Sequence, residues 1–575
     1  MVWDLKQPLR LVATADSVNN SLSFFHCAKY FKIMIDPTTT DRQLLNGDEA
    51  IALAALHAGV SLGVGYPGTP STEILETLDQ LGGRAQWSPN EKVALEVGIG
   101  VAFAGARALV TMKHVGLNVA ADPLFTATYT DVDGGLVIIS ADDPGMASSQ
   151  NEQDNRHYAR AAIAPMLEPI DSQQAYDYTW LAFELSERWK IPVLLRLTTR
   201  ICHSKTLVQP RSAITPRTIG AFRRDVPARV MIPAYAKPAH HRIRAKLDEI
   251  AAWNEAEGPY QIEDGDPALG IIATGVAAVH AREAAPHARQ LTFGLTYPLP
   301  IERIRAFAAG VERLLVIEEG DPVLVEALRA AGLSVEGKPT RYRFSELDVT
   351  RVRRIIAGED QPELVPPKGK PPELCPGCAH REAFSALRDL DCIVSGDIGC
   401  YTLGVLPPFS AMDTCVCMGA SIGVGLGLRH ALPADEARRV VSVIGDSTFV
   451  HSGLTGLAEM VYNPPPTGHL VLILDNETTA MTGLQEHPGT GRNLGHDPAY
   501  RLDFEALGRA FGLDCVEMFE GSSKDRDLKT RIAEHLASEK TVLMIIRQPC
   551  VLAAPKIRLY DQIAADRCAA APAAA

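Results

Sequence analysis

Short apolar runs alternating with helical stretches constrain this chain more than any other feature. Leu62-Gly63-Val64-Gly65-Tyr66 leads into a turn and a helix from Ser71, and Ala108 to Met112, Gly135 to Ser140 and Pro192 to Leu197 supply further strands. Strands separated by helices lie parallel, with both faces of their sheet covered. The pattern returns in Leu269 to Ala273 and Arg313 to Ile317, and again in Arg439 to Ile444 and His469 to Leu474. The fold class is α/β, with two large parallel-sheet domains and a smaller α/β domain between them.

Prolines divide the chain. Pro210, Pro216, Pro227, Pro233 and Pro238 mark 209–265 as a linker carrying a helix from about Ile243 to Glu257, and Pro362, Pro366, Pro367, Pro371 and Pro372 mark 361–372 as a second linker. The expected order is an N-terminal extension over 1–40, α/β domains over 41–208, 266–360 and 373–552, and a tail without structure over 553–575. Met34 is an alternative natural start, which leaves open whether residues 1–33 belong to the protein.

A chain of 575 residues with 46% hydrophobic content fills several cores. Its net charge of -13 argues against a nucleic-acid partner. Runs such as Leu470 to Leu474 are far below the roughly 20 residues of a membrane span. No basic stretch precedes a continuous apolar core in the first 40 residues, so a secretory signal is not expected. Eleven cysteines are too few for a disulfide framework and fit a reducing cytoplasm.

Two strands end on polar groups, one on Gly445-Asp446-Ser447 and the next on Asp475-Asn476. Parallel sheets gather ligands beyond these ends, so Asp446 and Asn476 can converge on one hard cation. Mg2+ takes oxygen ligands and keeps phosphate oxygens in its shell, which suits a diphosphate. Ordinary turns carry the same residues, so the pair alone does not decide. Cys375 and Cys378 in Cys-Pro-Gly-Cys, Cys400 in Gly-Asp-Ile-Gly-Cys, and Cys550 form a loose quartet. Cys-x2-Cys alone also reads as a zinc half-site or redox pair. Cys415 and Cys417 are alternatives to Cys400.

The Asp446 and Asn476 turns resemble the fingerprint of thiamine-diphosphate enzymes, with Ser447 in place of the usual second glycine. Over 47–205 and 371–550 the chain resembles the 2-oxoacid:ferredoxin oxidoreductases, most of all the large subunits of the indolepyruvate type. Tyr66-Pro67-Gly68-Thr69-Pro70-Ser71 matches the family's Tyr-Pro-x-Thr-Pro-Ser loop, and Asn90-Glu91 opens a glycine-bearing helix as in the family. The resemblance implies a pyrimidine-binding domain over 41–208, a transketolase C-terminal-like domain over 266–360 and a diphosphate-binding domain over 373–552. It implies thiamine diphosphate, Mg2+ and a [4Fe-4S] cluster as cofactors.

Residue by residue, the resemblance makes Asp446, Asn476 and the Thr478 carbonyl the Mg2+ ligands. It puts Gly399, Gly419, Gly445, Ser447, Met481 and Thr482 beside the cofactor. Cys375, Cys378, Cys400 and Cys550 become the cluster ligands. Glu91 becomes the group bonded to N1′ of the aminopyrimidine, with Glu96 as competitor and a solvent-facing glutamate as the plain alternative. Thr69 falls near the substrate carboxylate, although Ser71 in the same loop also suits a helix N-cap. Lys113 or His114 would oppose that carboxylate, or simply cap a helix.

The implied reaction is oxidative decarboxylation of an aryl 2-oxoacid, such as indolepyruvate, to an acyl-CoA. Electrons leave through the cluster to ferredoxin or a similar carrier. The alternatives are a non-oxidative thiamine-diphosphate decarboxylase or carboligase, and a noncatalytic subunit that keeps the fold. The implied partners are a smaller subunit of the same oxidoreductase, ferredoxin and coenzyme A, in a dimer of heterodimers. One departure is that this chain ends without the family's ferredoxin-like tail.

Overall fold

The computed structural model describes residues 35–363, 371–521 and 527–570, with side chains up to 563 in the last helix. Residues 1–34 of the expected N-terminal extension and the centre of the 361–372 linker lie outside the described residues. Three main sheets organise the rest.

The first sheet runs Leu295–Tyr297, Met166–Leu167, Val193–Thr198, Leu136–Asp142, Ala108–Lys113, Leu62–Gly65, Ala85–Trp87. All its strands are parallel except Leu295–Tyr297, which pairs antiparallel with Met166–Leu167 and so ties the chain's middle segment to this sheet. A two-stranded ribbon, Gln43–Leu45 against Thr206–Val208, closes the beginning of this unit onto its end.

The second sheet is wholly parallel, in the order Thr414–Cys415, Ile393–Gly396, Val440–Gly445, His469–Asp475, Thr541–Arg547, Cys515–Glu520. Its strands are apolar on both faces because alternate residues serve different cores. Val441, Val443, Leu472 and Met544 pack on one side, and Ile444, Ile473, Leu543 and Ile545 on the other. The smaller third sheet orders Leu314–Ile317, Asp266–Ala273, Ala288–Phe293 and an antiparallel edge, Tyr260–Glu263. Buried Arg156 joins it to the first sheet's unit, donating to Glu318 at 2.6 Å and to Asp154 at 2.5 Å.

Two local expectations differ. The helix expected from Ile243 begins ten residues earlier, as Pro233–Ala256, with Pro233 at its tolerated first position. The tail expected to lack structure contains the helix Ala554–Ala570. Tyr560 stacks on His496 at 3.9 Å between ring centres and Asp561 meets Arg492 at 3.3 Å, contacts that the tail's composition does not announce.

Candidate active site

The C-terminal ends of the two large sheets open onto one cleft of about 890 Å3, part of it open to solvent. Tyr66, Thr69, Glu91 and Lys113 line it from the first sheet's unit. Gly399, Cys400, Gly445, Asp446, Ser447, Asn476, Thr478, Met481 and Thr482 line it from the second. The walls are bonded to each other through Tyr66 Oη and Ser447 Oγ, 2.7 Å apart, and on the second wall the Thr479 hydroxyl donates to the same Ser447 Oγ at 2.8 Å.

On the second sheet, pairing of Gly445 with Leu474 sets the following residues, Asp446 and Asp475, side by side. Both are buried, at 2% and 1% exposure. Burial, the largest influence, opposes ionisation of Asp446, but the His487 imidazole 3.2 Å from its Oδ2, the Ser447 N–H and Asp475 together hold the carboxyl below its ordinary range. Burial, and then the charge of Asp446, push Asp475 up to about 6, although Arg547 Nε donates to it at 2.7 Å. Two buried carboxyls at adjacent strand tips, one of them pushed up by the charge of the other, favour an added cation. Among the described residues the Asn476 amide oxygen is engaged only by the Thr478 N–H at 3.2 Å. A helical segment starts at Asp446 itself, and its first N–H groups suit an anion.

On the first sheet's side, Asn90 caps the helix Glu91–Phe103 by accepting from the Val93 N–H at 2.9 Å. This holds Glu91 inward, 5% exposed, with Oε2 2.8 Å from His451 Nε2. The other carboxyl oxygen lies against Gly116, where an added Cβ would stand 2.5 Å from it. The Asn90 side chain also donates to the His451 carbonyl at 2.8 Å, within the π-helical turn Phe449–Gly453. Glu96 pairs with Lys92 on the exposed face of the helix and takes no part.

Lys113 Nζ donates to the Ser148 carbonyl at 2.7 Å. Burial brings its ammonium down to about 8, against the opposing pull of Asp143 and Glu91. His114 is a correction: it is fully buried, 3.1 Å from the Asn151 carbonyl, and forms no part of the cleft wall. The strand ends at Lys113 and a helix begins at His114, so consecutive side chains diverge. The expected Ser71 cap is also absent, because its hydroxyl donates back to the Gly68 carbonyl at 3.0 Å.

The cysteine quartet converges. Burial, and then the neighbouring thiols of Cys550, Cys378 and Cys375, push Cys400 up to about 11. Burial, and then Cys375 and Cys550, raise Cys378. Cys415 and Cys417 respond instead to Asp397, and Cys415 Sγ lies 3.5 Å from the Asp397 carbonyl. Among the described residues no three of these thiols lie within 4.8 Å of one another. The quartet borders the cleft through Cys400 and through the Cys550 N–H, which donates to the Asn476 carbonyl at 2.9 Å.

Gly419 is a second correction. It does not line the cleft; its N–H donates to the buried Asp397 carboxylate at 2.8 Å, and an added Cβ would stand 2.4 Å from Ser452 Cβ. Three residues at the site escaped sequence reasoning: His451, His487, and Tyr401, which lines the cleft next to Cys400. All three sit in turns that no spacing marks. Asp475 was legible as the neighbour of Asn476 on the same tip.

Two family models match the chain. "Pyruvate flavodoxin/ferredoxin oxidoreductase, thiamine diP-bdg" covers residues 53–249, and "Thiamine pyrophosphate enzyme, C-terminal TPP binding domain" covers 397–546. They fall on the two walls of the cleft and define a thiamine-diphosphate-binding oxidoreductase. Indolepyruvate oxidoreductase subunit IorA of Methanothermobacter thermautotrophicus is 39% identical, over 90% of this chain and 88% of that one. Its namesake in Archaeoglobus fulgidus is 37% identical, over 89% and 87%. The chain belongs to the IorA family of indolepyruvate oxidoreductase subunits. Among solved structures, the 2-oxoglutarate:ferredoxin oxidoreductase of Magnetococcus marinus aligns with 56% of this chain and 66% of that one, at 16% identity and a TM-score of 0.47. Among the described residues no helix is long and apolar enough to cross a membrane.

Proposed function

We propose that the cleft carries out oxidative decarboxylation of an aryl 2-oxoacid, indolepyruvate in type, to an acyl-CoA, with electrons passing through an iron-sulfur cluster to ferredoxin or a similar carrier. The observation that carries this reading is the meeting of Glu91, Lys113, Asp446, Asn476 and Cys400 on one cleft. The Asp446 carboxylate, the Asn476 amide oxygen and the Thr478 carbonyl are hard oxygen donors that suit Mg2+, and the crowded Asp446 and Asp475 pair gains from its charge. Cys375, Cys378, Cys400 and Cys550, close enough to raise one another's pKa and bordering the cleft, suit a [4Fe-4S] cluster. Thiamine diphosphate, when bound, supplies the electron sink that lets CO2 leave a 2-oxoacid.

The chain's own residues do the rest. Glu91 exchanges a proton with the aminopyrimidine, its Oε2 steadied by His451. The Lys113 ammonium and the Thr69 hydroxyl bind the substrate carboxylate. Val115, Ile398, Met418 and Met481 give the wall the apolar surface an aryl group needs. The relatives carry subunit names, which supports a partner subunit; a smaller partner, a dimer of heterodimers and a cytoplasmic location belong to the same proposal. The test is anaerobic purification with that partner, analysis of iron, sulfide and thiamine, and an assay against a panel of 2-oxoacids with coenzyme A and ferredoxin. Brown, reducible protein that prefers aryl substrates is the expected result. Colourless, iron-free protein that still releases CO2 would establish the non-oxidative alternative.

A further inference from the structure

Three segments that the cleft does not use meet elsewhere in the first sheet's unit. They are the starts of helices Gly47–His57 and Thr72–Gln80 and the end of helix Thr199–His203. Asp48, Glu73 and His203 each bring one ligand atom here, all within 4.8 Å of one another. Asp48 is fully buried, at 0% exposure. Among the described residues the one donor that reaches it is the weak Cys202 thiol, and neither its carboxylate nor Oε2 of Glu73 has an N–H or O–H donor. The juxtaposition is built in, since an added Cβ at Gly47 would stand 2.3 Å from the Ile201 carbonyl oxygen.

A shared proton would relieve the repulsion between the carboxyls but leave buried acceptors without a donor. A divalent cation neutralises both carboxylates and uses the imidazole as well. We propose that Asp48, Glu73 and His203 bind one transition-metal cation of the Zn2+ type, with water in a remaining position on the exposed His203 side. An imidazole with two carboxylates suits Zn2+ better than Mg2+, which favours oxygen alone. The site is independent of the cleft's chemistry. Glu73 directly follows the loop that carries Thr69, so the cation would brace that loop.

The test uses the anaerobically purified, iron-loaded complex, so that the cysteine quartet is not open to zinc. It is stripped with a mild chelator and titrated with ZnCl2, reading bound zinc by elemental analysis together with the melting temperature. Wild type should take up about one Zn2+ per chain and melt a few degrees higher. Asp48→Asn and His203→Gln should lose that equivalent at unchanged iron content. His203 is exposed, so its variant tests the site even if Asp48→Asn fails to fold. Zinc uptake by His203→Gln equal to that of wild type, or no uptake by wild type, overturns the proposal.

Discussion

In the second sheet the polar groups stand on the strand tips themselves, with Asp446 one residue beyond Gly445 and Asn476 one beyond Asp475. In the first sheet's unit Thr69 comes from a loop and Glu91 from a helix start, and only Lys113 ends a strand. Strand register alone fixes the tip groups. The loop and helix groups need further locks, and two of those locks cross the cleft: Tyr66 to Ser447, and Glu91 with Asn90 to His451. The segment 447–451 therefore orders both walls.

The comparison breaks most visibly at Glu91. Glu91→Gln keeps a partner for His451 and should fold normally, yet kcat should fall by about 10²–10⁴-fold through loss of proton exchange. A loss under threefold in steady-state turnover would remove Glu91 from the chemistry. Cys400→Ser should next lower turnover with ferredoxin by about 10²-fold, with loss of iron and of the visible chromophore, whereas Cys415→Ser should keep both. Equal iron loss in the two variants would erase the distinction between the quartet and the Asp397 pair.

Lys113 gives the smallest effect. Lys113→Met should raise the KM for the 2-oxoacid by about tenfold, the cost of one charge-assisted hydrogen bond. Burial brings Lys113 down to about 8, so its ammonium is present below that pH and is lost above it. In wild type the KM should accordingly rise as pH passes about 8, and in Lys113→Met it should stay flat. A pH profile unaltered by the substitution would assign the carboxylate to another group.

The same contrast explains what was legible beforehand. The α/β class and the tips carrying Asp446 and Asn476 could be read because apolar runs ending on Asp or Asn give both strand and edge. Lys113 and His114 could not be separated by pattern, since only the strand-to-helix break turns one into the cleft and the other into the core. Gly419 looked like a diphosphate neighbour, but the buried Asp397 carboxylate already holds its N–H. His451 and His487 reach the site through a π-turn and an irregular loop, neither of which has a sequence period. The helix Ala554–Ala570 is docked by contacts from 492 and 496, which local sequence does not encode.

Calorimetric titration of Mg2+ and thiamine diphosphate into wild type, Asp446→Ala and Glu91→Gln tests the central claim most directly. Saturable binding of about one cofactor per chain by wild type and Glu91→Gln, with none detectable for Asp446→Ala, is the predicted result. Binding by Asp446→Ala as tight as by wild type would contradict it.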